Sequence, residues 1–219
     1  MKPIAAIFDL DGVIVDTAQF HFQAWKKIAA TLGHELNHAQ NEQLKGVSRV
    51  DSLEKILHWS GATLTMNQFD SLLVRKNEDY LKLIEALSPK DALPGVTRCM
   101  TILQEAGIKI ALGSASKNAR KILEQLALTD FFDAIIDGND TQVSKPDPEV
   151  FLKGAKALKV APENCVVFED PQAGIAAARA AKMIPIGIGS PEVLDQAWQC
   201  IPDFAQLTET QLLLFFDTV

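Results

Sequence analysis

Short, continuously apolar runs recur along the second half of the sequence, and helical patterns separate them. "KIALG" (Lys109–Gly113), "AIID" (Ala134–Asp137), "CVVF" (Cys165–Phe168) and "IPIGIG" (Ile184–Gly189) read as strands, and "IAAIF" near the start reads as a fifth. Amphipathic segments such as "NARKILEQLAL" and "PEVFLKGAKALKV" lie between them. A strand that is apolar at every position needs both faces buried, as in a parallel sheet covered by helices on both sides. The alternation therefore predicts an α/β fold, a doubly wound, Rossmann-like parallel sheet.

Residues 15–90 break that rhythm. "AQFHFQAWKKIAATLG", "RVDSLEKILHWSG" and "MNQFDSLLVRKNEDYLKLIEAL" follow one another as helices with no strand between. In the second, Val50, Leu53, Ile56 and Leu57 recur at helical spacing and predict one apolar face. "SPKDALPG" (Ser88–Gly95) supplies the Pro and Gly punctuation of a return to the core. The expected organisation is a core domain of residues 1–14 and 91–219, with a helical cap domain of residues 15–90 inserted after the first strand.

A chain of 219 residues, 47% hydrophobic and 22% charged, can bury a sizeable core. Its net charge of -7 argues against non-specific nucleic-acid binding, which needs clustered Lys and Arg. No apolar run is long enough to span a bilayer, and the opening residues lack a signal-peptide core and cleavage site. Cys99, Cys165 and Cys200 are odd in number and widely spaced, so reduced thiols packed in the core of a cytoplasmic protein are expected. No membrane or nucleic-acid partner is expected, and the expected state is a monomer. His34, His38 and His58 read as solvent-facing, and Trp25, Trp59 and Trp198 as packing residues.

The polar residues fall where the strands end. Asp9 and Asp11 follow "IAAIF", Ser114 follows "KIALG", and Glu169 and Asp170 follow "CVVF". The C-terminal edge of a parallel sheet is where open α/β folds bind ligands, and Lys145 in "SKPDP" lies in a loop able to reach it. Paired carboxylates at the mouth of a buried strand are open to three readings: a turn, a metal site, or a nucleophile with its acid/base partner. Convergence on one rim rejects the turn. Phosphoryl transfer asks for this set: a carboxylate nucleophile, a second acid to move the proton, and a hydroxyl and an amine against the phosphate. Crowded carboxylates also need a divalent cation, and an all-oxygen site suits Mg²⁺. "SASKN" is expected to open a helix whose first N–H groups add to the anion site.

Four segments then carry a resemblance. "DLDGVIVDT", the serine of "GSASKN", "SKPDP" and "FEDPQAGI" are similar, in order and over the whole chain, to the four motifs of the haloacid dehalogenase superfamily. The resemblance implies Asp9 as nucleophile, Asp11 as general acid/base, and Ser114 and Lys145 on the phosphate. It implies Mg²⁺ held by Asp9, the Asp11 carbonyl and Asp170, with Glu169 nearby. An Asp at position 11 favours phosphoryl transfer over dehalogenation. Pro171 departs from the small residue usual after the acidic pair, and reads as proline in the first turn of a helix.

The inserted helices carry a narrower resemblance. "DTAQFHFQAW", "NEQLKGVSRVDSLEKIL" and "RKNEDYLKLI" are similar to the cap of the superfamily's sugar-phosphate mutases. That implies Arg49 on the phosphate that is not being transferred, and Lys45, Gly46, Val47, Ser48 and Ser52 around the sugar. It implies that His21 and Lys76 help to position Asp11, that Ser116 and Asn118 contact substrate, and that Thr17, Ala115 and Lys117 complete the substrate-binding set. The implied substrate is a small sugar phosphate. The implied reaction interconverts β-D-glucose 1-phosphate and D-glucose 6-phosphate through a phospho-aspartate and a β-glucose 1,6-bisphosphate. The rivals are a sugar-phosphate phosphatase using the same aspartates with water, and a non-catalytic phospho-ligand sensor.

Overall fold

The computed structural model describes residues 4–44 and 48–217. Lys45, Gly46 and Val47, three of the expected sugar-bordering residues, lie outside the described residues. The chain divides into two compact units, Met1–Asp16 with Ser88–Val219, and Thr17–Leu87. The first unit extends to Asp16 because Val15 is tied into it: its N–H donates to the Leu10 carbonyl at 3.1 Å, and it bridges to Ala92.

The larger unit is a six-stranded sheet in the order β3-β2-β1-β4-β5-β6, with every pairing parallel. The strands are β1 (Ala5–Phe8), β2 (Lys109–Gly113), β3 (Ala134–Ile136), β4 (Cys165–Glu169), β5 (Ile184–Ile188) and β6 (Gln199–Ile201). The expected doubly wound α/β fold is present, with one strand more than the apolar runs indicate. β6 escapes detection because its three residues open on the exposed Gln199 and so form no continuous apolar run, unlike the equally short β3.

Each side chain's face follows from the two-residue period of a strand. Ala5, Ile7, Ala111, Cys165 and Val167 pack against Val150, Phe151, Ala155 and Leu158 of α7 (Glu149–Leu158) and Ala177 and Ala178 of α8 (Gln172–Ala180). The intervening residues pack the other way. Phe8 stacks on Phe168 with ring centroids 4.8 Å apart, and Phe168 meets Phe204 and Phe215 edge-on. On β2 packs α5 (Val96–Glu105), which also touches α9 (Glu209–Leu214). Burying one Phe or Ile side chain stabilises the fold by about 1.5–3 kcal/mol, so this two-sided burial is the main reason the runs become strands.

The smaller unit contains α1 (Ala18–Thr31), α2 (His38–Glu42), α3 (Arg49–Ser60) and α4 (Met66–Ile84). Thr65 and Gln68 form a reciprocal capping box at the start of α4, and Ser48 accepts the Asp51 N–H at the start of α3. Trp25, Ile28, Leu36, Leu53 and Ile56 form its core, with Leu57 and Trp59 packed against it. Three expectations change. Val50 is exposed, because the buried stripe of α3 runs through Ser52, Leu53 and Ile56 instead. His34 is half-buried and pairs with the Gln40 side chain at 3.1 Å rather than facing solvent. In the larger unit, Trp198 is 52% exposed, because β6 is an edge and only Phe215 packs against the indole among the aromatic contacts described. The three cysteines are free; Cys99 and Cys165 are buried, with thiols pushed up to about 12 by burial, whereas Cys200 is half-buried.

Candidate functional site

Strand order reverses between β1 and β4, and the crevice outside the C-terminal ends of such strands is the ligand site of open α/β sheets. Register then sets what stands there. Phe8 is level with Leu112 and Phe168, so Asp9 is placed beside Gly113 of β2 and Glu169 of β4. The Asp9 N–H donates to the Phe168 carbonyl at 3.0 Å, and the Ser114 N–H donates to the Ile136 carbonyl at 3.0 Å. Behind Asp9 the chain turns back on itself through bonds from Ile14 and Val15 to the Leu10 carbonyl. Leu10, Val13 and Ile14 are buried and anchor that turn, which leaves Asp11 half-buried and Asp16 exposed.

Asp9, Glu169 and Asp170 present carboxylate oxygens within 4.8 Å of one another. Lys145 Nζ lies 2.5 Å from Asp9 Oδ1 and 2.5 Å from Glu169 Oε1, and sits over the Phe151 ring. Burial favours the neutral form of this amine, but Asp9 and Glu169 outweigh it and hold the lysine protonated. Burial, the Asp9 charge and the Asp11 charge push the Asp170 carboxyl up to about 7. Burial also raises the Glu169 carboxyl, against the opposing pull of Lys145. One ammonium therefore faces three crowded acids. The donor set fits a hard divalent cation, which needs all-oxygen ligands and would relieve the surplus negative charge.

Two glycines shape this rim. Gly12 has φ +79°, and a Cβ there would overlap the Asp170 carboxylate; a Cβ at Gly174 would overlap the Glu169 carboxylate. Gly12→Ala should therefore fail twice, through backbone strain and through displacement of Asp170. We expect at least tenfold weaker divalent-cation binding by titration calorimetry, about 1.4 kcal/mol, together with a lower Tm. Binding as tight as the parent's would show that Asp170 is not part of a metal site.

The segment "SASKN" corrects one expectation. It lies ahead of α6 (Ala119–Gln125) instead of forming its first turn. Ser114 Oγ accepts the Ser116 N–H at 3.1 Å and Ser116 Oγ accepts the Asn118 N–H at 3.3 Å, and such local serine turns compete with helix initiation. Ser114 is buried, Ser116 and Asn118 are half-buried, and Ala115 and Lys117 are exposed. Pro171 stands at the N-cap of α8, one position before the first turn.

Sequence reasoning overlooked what holds the 114–118 segment. Arg120 bonds Asp137 at 3.0 Å and Asp140 at 3.1 Å, the Asn139 N–H donates to Asp137, and the Asn139 amide donates to the Lys117 carbonyl at 3.0 Å. The one signal available was Asp137 itself, a carboxylate ending an apolar run and, like Asp9, buried.

The remaining expected residues are in the helical unit. Lys76 is buried, with its Nζ 2.7 Å from His21 Nδ1 and over the rings of Trp25 and Tyr80. His21 stacks on Tyr80, whose hydroxyl donates to Thr17 Oγ1 at 3.0 Å. Burial, then the charges of Lys76 and Arg49, hold the His21 imidazole well below its ordinary range, so it is neutral at pH 7. Thr17, His21 and Lys76 are thus brought together, with Tyr80 as a partner the sequence reading missed. Position 80 follows Lys76 by one helical turn, which was the available signal. Arg49 is half-buried and donates to Asn77 Oδ1 at 2.8 Å; Ser52 is buried one turn on. Ser48 is exposed, its hydroxyl engaged with Asp51 in the helix cap.

Sheet order, crevice and acidic rim together define a haloacid dehalogenase-type enzyme. The chain belongs to the haloacid dehalogenase-like hydrolase family, which it matches over residues 5–182. Within that family it is 48% identical over 187 residues to the β-phosphoglucomutase of Bacillus subtilis, covering 84% of this chain and 83% of that one. It is similar to the crystal structure of β-phosphoglucomutase from Clostridium difficile, with TM-score 0.91 and 38% identity over 98% of this chain and 97% of the other. It is also 30% identical to a phosphorylated carbohydrates phosphatase of Thermotoga maritima, over 81% of each chain. No helix among the described residues is long and apolar enough to cross a membrane.

Proposed function

We propose that the protein catalyses the β-phosphoglucomutase reaction, interconverting β-D-glucose 1-phosphate and D-glucose 6-phosphate. The observation that carries this reading is the buried Asp9 carboxylate at the strand-order reversal, in contact with Lys145 and beside Glu169 and Asp170. The likeness to the Bacillus subtilis and Clostridium difficile enzymes supports the choice of reaction.

In this reading Asp9 is the nucleophile and carries the phosphoryl group as an acyl phosphate. Asp11 takes the proton of the accepting C6 hydroxyl as the group leaves Asp9. The β-glucose 1,6-bisphosphate then reorients. Asp9 attacks the C1 phosphate, and Asp11 returns the proton to the leaving oxygen. Ser114 and Lys145 bind the transferring phosphate, Arg49 takes the other one bidentately, and Ser116 and Asn118 contact substrate, with Lys117 in the substrate-binding set. Thr17, His21, Lys76, Ser48, Ser52 and Ala115 complete the proposed set together with Lys45, Gly46 and Val47. Mg²⁺, held by Asp9, Asp170 and the Asp11 carbonyl with Glu169 beside them, would supply charge screening between a carboxylate nucleophile and an anionic phosphate. The three free thiols fit a reducing cytoplasm, and a monomer suffices because every named group is in one chain.

One incubation tests the reading: the enzyme with Mg²⁺, β-glucose 1-phosphate and a trace of the bisphosphate as primer, assayed for glucose 6-phosphate and free phosphate. Glucose 6-phosphate is expected. Free phosphate alone would point to the phosphatase reaction, and neither product would overturn both.

The metal has its own test. A carboxyl raised in the folded state stabilises the fold when protonated, fully below its unfolded value near 3.8, and the contribution is lost as pH rises through about 7. The cation competes with that proton. Added Mg²⁺ should therefore raise Tm more at about pH 8 than at about pH 6. Asp170→Asn should abolish the difference; an equal shift at both pH values would exclude a site that includes Asp170.

Arg49 separates mutase from phosphatase. A mutase must hold a bisphosphate in two orientations, whereas a phosphatase needs one grip. Arg49→Ala should lower mutase turnover by tenfold or more, yet change acetyl phosphate transfer to Asp9 by roughly twofold at most. Arg49→Lys should recover little, because an ammonium lacks the planar fork. Equal losses in both assays would indicate general damage.

A further inference from the structure

We propose that Asn77 is a positioning residue for Arg49, holding the guanidinium in place through a neutral acceptor so that its charge and fork stay available to the second phosphate. The inference rests on the mutase reading and gives a role to a residue that neither the motifs nor the composition singled out.

Arg49 is the first residue of α3, and the Ser48 side chain fixes that helix start by accepting the Asp51 N–H. The backbone beneath the arginine is therefore set. Its long side chain would still be free to rotate, and holding it costs rotamer entropy. Asn77, one position beyond Lys76 on α4, removes that freedom: its Oδ1 accepts from Arg49 Nη2 at 2.8 Å across 28 residues of sequence. The anchor is built into two helices of one unit, which also pack against each other.

The chemistry of the anchor matters more than its presence. A half-buried guanidinium ordinarily pairs with a carboxylate, which would fill the fork and cancel the charge. Here the partner is an amide, and among the described residues no carboxylate forms an ion pair with Arg49. Burial alone lowers the Arg49 pKa, the direction expected for a cation that has lost water and gained no anion. A single amide oxygen occupies one of five N–H donors and leaves the others for a phosphate. Lys76 next door contacts His21 Nδ1 and the faces of Trp25 and Tyr80. Arg49 and Lys76 both depress the His21 pKa, so the local field is positive, as an anion site requires.

The discriminating variant is Asn77→Asp. It keeps the shape and the acceptor, and it adds the charge that an arginine would ordinarily meet. A purely structural hydrogen bond would be kept or strengthened by it. With full-length protein, we expect Asn77→Asp to retain Tm and acetyl phosphate transfer to Asp9, and to raise KM for β-glucose 1-phosphate by roughly tenfold or more. Asn77→Ala should raise KM less, because the arginine is loosened but not neutralised, and Asn77→Ser should lie between it and the parent. In an Arg49→Ala background, Asn77→Asp should cost little more, since the group it acts through is gone. An Asn77→Asp enzyme with parental KM would overturn the proposal. So would equal losses in both assays, a folding defect in all three single variants, or a KM effect that persists without Arg49. A wild-type enzyme that forms no glucose 6-phosphate would instead remove the mutase reading itself, which this series detects separately.

Discussion

Asp9→Asn should reduce mutase turnover by a factor on the order of 10⁵ or more, the scale for losing a nucleophile that carries a covalent intermediate. The amide is isosteric, so the turn behind it should persist: Leu10, Val13 and Ile14 stay buried, and the backbone bond to Phe168 is unchanged. Three things are lost at once. The amide oxygen is a poor nucleophile, it is a weaker metal ligand, and it no longer neutralises Lys145. Breaking a buried pair usually costs several kcal/mol, but Glu169 remains 2.5 Å from the same amine, so the variant should fold with a modest drop in Tm. Acid-quenched parent enzyme, fed with acetyl phosphate, should carry an acyl phosphate on Asp9 that the variant lacks. Parental turnover by the variant would end the covalent mechanism, whatever the metal does.

Asp11→Asn should act on the rate and leave the metal in place. Proton transfer by a positioned acid contributes roughly 10²- to 10⁴-fold, and the variant should fall by that range in turnover. The Asp11 carboxylate is not one of the three that converge within 4.8 Å, so removing its charge does not remove a ligand from that cluster. Its charge is one of the causes that raise the Asp170 carboxyl. The variant's Asp170 should therefore release its proton at lower pH, and Mg²⁺ should bind at least as tightly as in the parent near neutral pH. Calorimetric titration beside a steady-state rate assay gives both numbers. Loss of metal affinity with an unchanged rate would assign Asp11 to the metal and leave proton transfer to another group.

Both aspartates are legible in the sequence alone, because strand ends in a parallel sheet can be read from apolar runs, and the runs are long where burial is two-sided. "IAAIF", "KIALG" and "CVVF" each end where a polar residue begins, so Asp9, Ser114 and Glu169 with Asp170 fall on one edge without knowledge of strand order. The short strand β6 and the helix α2 are not legible: β6 opens on an exposed Gln, unlike the equally short but wholly apolar β3, and the five residues of α2 carry too little periodicity to read. Trp198 stands one residue before that strand, and its exposure likewise leaves no mark in the pattern. The serine turns ahead of α6 resemble a helix start because Ser and Asn suit both caps and turns.

Local pattern alone determined the class of fold, the rim on which Asp9, Ser114, Lys145, Glu169 and Asp170 fall, and the run of helices between residues 15 and 90. Those depend on periodicity and on where apolar runs stop, which neighbours in sequence decide. Tertiary structure alone decided the distances. Strand order β3-β2-β1-β4-β5-β6 puts Asp9 next to Glu169 across 160 residues of chain, and packing brings Lys145 to both. The crowding of those charges, which lifts Asp170 and keeps Lys145 protonated, exists only once burial removes water from between them. The partners of Arg49 and His21 also come from helices distant in sequence. No local pattern could name Asn77, Tyr80 or Asn139, because a hydrogen bond across a fold leaves no period in the sequence.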